Sequence, residues 1–114
     1  MELNYASYIS KIKALSDVTR LKIIDMLSCG PLCACDILSF FSISQPTLSY
    51  HMGLLTACHL VDAQRNGSWM TYSLNKGQMQ DLQKFLTTIS EQKDHCICKS
   101  ATSTGKACSF SKED

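Results

Sequence analysis

Seven cysteines fall in a chain of 114 residues, and their spacing is the first feature that could do chemistry. Cys33 and Cys35 are separated by one residue, Cys29 lies four before Cys33, and Cys96, Cys98 and Cys108 follow near the end with His95 alongside. Cys58 stands alone. An odd count in a short chain argues against a disulfide scaffold. The start, Met-Glu-Leu-Asn, has neither a basic cluster nor a long apolar stretch, so no signal peptide is expected and the cytoplasm is the expected compartment. Thiols kept reduced there bind soft ions or carry out redox chemistry more often than they staple a fold.

The elements that must position these thiols read out in order. Tyr5, Tyr8, Ile9, Ile12 and Leu15 recur at helical spacing, and Val18, Leu21, Ile23, Ile24, Met26 and Leu27 mark a second helix over 17–29, stopped by Gly30-Pro31. A short third helix is expected over about 32–41. Ser44 suits an N-cap with Pro46 in the first turn, predicting a fourth helix to about Cys58. Leu60–Arg65 and Ser68–Leu74 flank Asn66-Gly67, a dipeptide suited to a hairpin turn. Met79, Leu82, Phe85, Leu86 and Ile89 then form a narrow apolar stripe on a last helix, fit for a partner helix or for packing within the subunit. Beyond about Gln92 the composition turns to Ser, Thr, Lys and Gly, which predicts a flexible tail over 92–114.

Composition bounds the rest. With 45% apolar and 18% charged residues the chain can close one modest core, and 11 basic against 10 acidic residues leave +1, which selects no partner. No run approaches the roughly 18 apolar residues of a membrane helix, so no membrane partner is expected.

Three motifs, in order, carry a resemblance. Leu15-Ser16-Asp17-Val18-Thr19-Arg20-Leu21 is followed by Leu32-Cys33-Ala34-Cys35-Asp36 and then Ser44-Gln45-Pro46-Thr47-Leu48-Ser49-Tyr50-His51. With the hairpin, the chain resembles the ArsR family of metal- and metalloid-sensing repressors, and within it the arsenical-resistance branch. The resemblance implies a mostly α winged helix-turn-helix with a β-hairpin wing over 1–91, dimerising through the first and last helices. It implies double-stranded operator DNA as partner and no enzymatic activity.

In such a fold the N-terminal part of the second helix of the motif reads base edges, which assigns Gln45, Thr47, Ser49 and Tyr50 to readout and Leu48, Met52 and Leu55 to anchoring. Arg65 at the wing is placed to reach phosphate or the minor groove. His51 is read as a packed side chain rather than a base reader. The family commonly places basic residues near Tyr50 and Gly53, whereas this chain has no Lys or Arg between Lys22 and Arg65, so phosphate contacts should be few.

For sensing, the resemblance implies no permanent cofactor and an inducer, trivalent arsenic or antimony, held by Cys33 and Cys35. Residues two apart on a regular helix point to nearly opposite sides, so one ion should distort the start of that helix. Trivalent arsenic takes a third sulfur, for which Cys29 leads and Cys96, Cys98 and Cys108 compete; the alternative for the tail is a set of exposed thiols with no role. Cys58 reads as a small buried residue. Cadmium or lead is the nearest rival inducer. Zinc is less favoured, since the last helix offers Asp81, Glu91 and Asp94 but no histidine before His95. A thiol redox enzyme or a metal-buffering protein would leave the recognition motif and hairpin unexplained.

Overall fold

The computed structural model describes residues 4–91. The elements are α1 (Tyr5–Ala14), α2 (Val18–Leu27), β1 (Leu32–Cys33), α3 (Ala34–Leu38), α4 (Gln45–Ala57), β2 (Val61–Asn66), β3 (Trp69–Leu74) and α5 (Lys76–Ser90). One compact unit runs through Lys84 and a second begins at Phe85, within α5.

Each helix starts by the same local rule: a short side chain one residue before it accepts the amide hydrogen three residues on, satisfying a donor the helix itself cannot. Asn4 serves α1 through Ser7 at 3.3 Å, Asp17 serves α2 through Arg20 at 3.1 Å, and Cys33 serves α3 through Asp36 at 3.4 Å. Ser44 serves α4 through Thr47 at 3.2 Å, and Asn75 serves α5 through Gln78 at 3.0 Å. Stops are equally local. Gly30 after α2 adopts φ +145°, open only to glycine at low cost, and Pro31 follows. At the end of α4 the amide of Leu60 bonds Leu55 and that of His59 bonds Thr56, with His59 at φ +69°, a Schellman closure using histidine where glycine is usual.

Two expectations are corrected. The segment from Leu32 is not helical at once: Leu32 and Cys33 form a strand antiparallel to β3, opposite Tyr72 and Thr71, and α3 is only five residues long. A two-residue strand has no periodicity to read, and its conformation is imposed by a partner some 40 residues away in sequence. The hairpin turn is also shifted by one. Asn66 pairs with Trp69, so Gly67 and Ser68 are the central residues, and only Gly67, at φ +65°, needs a positive φ.

The sheet has the order β1-β3-β2, placing the hairpin's second strand between the wing edge and the entry to α3. Ile23 and Leu27 of α2, Ile37 of α3, Met52 and Leu55 of α4, Leu60 just before the wing and Val61 at its start are all fully buried. They bring the three central helices and the sheet onto one core, the architecture of a winged helix-turn-helix. Tyr8 Oη donates to Asp81 Oδ2 at 2.9 Å, tying α1 to the start of α5. Tyr5, Ile9 and Ile12 on α1, and Leu86 and Ile89 on α5, remain exposed. Among the described residues no helix is long and apolar enough to cross a membrane.

Candidate DNA interface and thiol cluster

α4 is held by three anchors spaced at four and three, Leu48, Met52 and Leu55, each at most 2% exposed. The opposite face is thereby determined. Gln45, Thr47, Ser49 and Tyr50 all lie exposed near its N-terminal end. Ser44 Oγ also donates to Thr47 Oγ1 at 3.0 Å, so the first turn is braced by side chains as well as by its backbone. Pro46 sits in that turn, where its missing amide hydrogen costs nothing.

The wing presents Arg65, exposed and opposite Met70 across the ladder. Neighbouring Trp69 is 58% exposed on the other face, where Asn66 Nδ2 donates to Thr71 Oγ1 at 3.4 Å. No motif marks this tryptophan in the sequence; it is the chain's only one, in a turn-flanking position that burial does not require.

In the sequence Arg20 and Asp17 stand out only as part of a motif, and the structure gives them contacts. Arg20 is 9% exposed; its Nε donates to the Ala14 carbonyl at 2.6 Å, and its Nη1 lies 3.0 Å from His51 Nδ1 on α4. Asp17 Oδ2 is 4.0 Å from the same His51 nitrogen. The amide of Arg20, bonded to the Asp17 carboxylate, holds that carboxyl below the ordinary range, and the nearby charge of Arg20 adds to the effect. The separation of Asp17 from Arg20 by three residues was the available signal, since it matches an N-cap.

The thiols of Cys33 and Cys35 are 2.6 Å apart. This overturns the expectation that they diverge: Cys33 is not in the helix but in extended backbone at φ −80°, ψ 160°, where its side chain turns back over the first turn that contains Cys35. Cys33, Cys35 and Asp36 place their donor atoms within 4.8 Å of one another. The hydrogen bond to Cys33 raises the Cys35 thiol above its usual range, and desolvation and the nearby charges of Cys33 and Asp36 act in the same direction. Cys33 is half-buried and Cys35 exposed, so the pair is open to an incoming ion. Cys29, exposed beyond the end of α2, lies outside this three-residue group. Cys58 is buried, its Sγ 3.4 Å from the Leu55 carbonyl. Cys96, Cys98 and Cys108 lie outside the described residues.

Residues 17–63 match the family model described as bacterial regulatory protein, arsR family. The chain is 42% identical over 101 residues to an arsenical resistance operon repressor of Staphylococcus aureus, covering 89% of this chain and 97% of that one. Among solved structures it is similar to an ArsR-like transcriptional regulator from Rhodococcus sp. RHA1, at 27% identity and a TM-score of 0.67, over 75% of this chain and 80% of that one. It is also similar to the homodimeric winged helix-turn-helix DNA-binding domain of a possible ArsR-family regulator from Mycobacterium bovis, at 23% identity and a TM-score of 0.63, over 81% and 89%.

Proposed function

The chain belongs to the ArsR family of bacterial regulatory proteins, and we propose that it is a repressor released from operator DNA when trivalent arsenic or antimony binds Cys33 and Cys35. The observation that carries this reading is the meeting of the two thiols at the N-cap of α3, the first helix of the DNA-reading motif. Two sulfurs suit a soft ion; the third group beside them, the Asp36 carboxylate, is a hard oxygen donor and suits it poorly. Completing a three-sulfur set therefore draws in another thiol, Cys29 from the end of α2 or one of Cys96, Cys98 and Cys108.

Cys33 has two uses in this scheme that make competing demands on its geometry. Its sulfur accepts the Asp36 amide hydrogen that starts α3. As a thiolate ligand it shares that lone-pair density with an ion and must follow the geometry of the incoming third sulfur. α3 has five residues and little else to hold its first turn, and only six residues separate it from α4. Loss of its start shifts the base from which α4 is presented. Cys33 also pairs with Thr71 of β3, so the same movement reaches the strand that carries the wing.

One α4 is too small a reader for useful specificity, and a dimer places two about one DNA turn apart. The exposed apolar residues on α1 and α5 support dimerisation through those helices, and the similar M. bovis domain is homodimeric. Gln45, Thr47, Ser49 and Tyr50 would then meet base edges and Arg65 a phosphate or the minor groove.

The test is release of bound DNA by arsenite, antimonite, cadmium and zinc, for the wild type, Cys29→Ser, Cys33→Ser, Cys35→Ser and a chain truncated after Glu91. The Cys33 and Cys35 variants stay bound at arsenite concentrations that release the wild type. Release of either at wild-type concentrations removes it from the site. Release by cadmium at lower concentration than arsenite would instead make a divalent ion the inducer.

A further inference from the structure

Taking α4 as the DNA-reading helix, we infer that Arg20 and His51 form a clasp that positions it. Arg20 extends from α2 in two directions at once: its Nε holds the Ala14 carbonyl, the last residue of α1, and its Nη1 meets His51 in the middle of α4. A guanidinium has donors and no acceptor, and it does not lose its proton in proteins. In this contact His51 Nδ1 must therefore accept, which requires a neutral ring carrying its hydrogen on Nε2. The contact is well sheltered, with Arg20 at 9% exposure and the His51 side chain at 12%.

The clasp sets how far α4 is rotated about its own axis. His51 directly follows Tyr50, and the two rings are 5.7 Å apart, tilted by 60°. Fixing one fixes the direction in which Ser49 and Tyr50 leave the surface. α4 carries no Lys or Arg of its own, so its contribution to binding comes from hydrogen-bond geometry rather than long-range attraction. Apolar anchors alone tolerate small rotations; a directed hydrogen bond does not.

The groups facing His51 are limited. α2 contributes Arg20 and, from its N-cap, Asp17 at 4.0 Å, and α4 contributes Tyr50; Lys13 of α1 lines a cavity with Arg20 that His51 does not line. Protonation turns Nδ1 from acceptor into donor. It then opposes Arg20 and is drawn toward Asp17, so the ring changes partner. A histidine gaining charge near DNA ordinarily strengthens binding to phosphates. The clasp has the opposite sign.

The experiment measures the affinity of the full chain, as wild type, His51→Gln and His51→Ala, for a duplex selected from a random pool by the wild type, from about pH 8 to about pH 5.5. Secondary structure and Tm are recorded for each variant. At the upper pH, His51→Gln, whose amide oxygen can accept from Arg20, binds within about twofold of wild type, and His51→Ala binds about tenfold more weakly. As pH falls, the wild type weakens relative to His51→Gln. A folded His51→Ala that binds like wild type overturns the clasp. So does a folded His51→Gln as weak as the alanine variant, or a wild-type to glutamine ratio that stays constant or shifts in favour of the wild type at low pH. If the alanine variant does not fold, that ratio alone decides. A pool from which the wild type selects nothing overturns the DNA-reading role itself, and the inference with it.

Discussion

α3 and α4 both begin at a residue in extended backbone whose side chain accepts the amide hydrogen three positions on, Cys33 from Asp36 at 3.4 Å and Ser44 from Thr47 at 3.2 Å. Sulfur is a weak acceptor and a soft ligand; the serine oxygen is a strong acceptor and a poor ligand for soft ions. The helices also differ in what else holds them. α4 has thirteen residues and three buried anchors, whereas α3 has five residues and one buried side chain, Ile37. On the proposed reading, the helix that presents groups to DNA is secured by redundancy, and the one beside it depends on a cap that a soft ion can take. The proposed sensing site falls where the fold has least in reserve.

Exchanging the cap atom tests that contrast most strongly. Cys33→Ser keeps a cap, and a better one, while removing the soft ligand; we expect DNA binding to persist and the arsenite concentration needed for release to rise by about 100-fold or more, measured by anisotropy of labelled DNA. A variant released like wild type would show that the cap sulfur is not the ligand. Ser44→Ala should cost about 1 kcal/mol and lower Tm by about 5 °C, since it removes an oxygen acceptor from the first turn of α4. Cys33→Ala should lower Tm by less, and an equal loss would mean that the two caps are equivalent.

The cap of α2 gives a smaller effect with a defined pH sign. The Asp17 carboxyl is held below its ordinary value, first by the Arg20 amide, so its contribution to stability is present above the unfolded value, about 3.9, and is lost as pH falls through the folded one. Asp17→Ala should therefore have a lower Tm than wild type at neutral pH, with the gap closing in acid. The smallest effect concerns salt. Because Arg65 is the sole cation between Lys22 and Lys76, the salt slope of DNA binding should be shallow, and Arg65→Ala should reduce it by about 0.9 per subunit. A steep slope that survives the substitution would place the phosphate contacts elsewhere.

Much of this was legible in the residues because the information is local. Ser44 before Gln45-Pro46-Thr47 announced α4, and the spacing of Leu48, Met52 and Leu55 announced which face it buries. The convergence of Cys33 and Cys35 was not legible. It depends on Cys33 being extended rather than helical, and its pairing with Thr71 across the sheet holds it so. The Arg20–His51 contact was hidden for the same reason, as the partners lie 31 positions apart and neither alone signals the other. At the hairpin, Asn66-Gly67 correctly signalled a turn, but the cross-strand pairing of Asn66 with Trp69 set its register.

The central claim is that the thiol pair and the operator compete through the start of α3. Because such coupling is reciprocal, antimonite titrated into the free protein and into its DNA complex, followed by thiolate absorption, tests it directly. Antimonite should bind the complex more weakly, by the same factor by which antimonite weakens DNA binding. Equal antimonite affinity with and without DNA would contradict it.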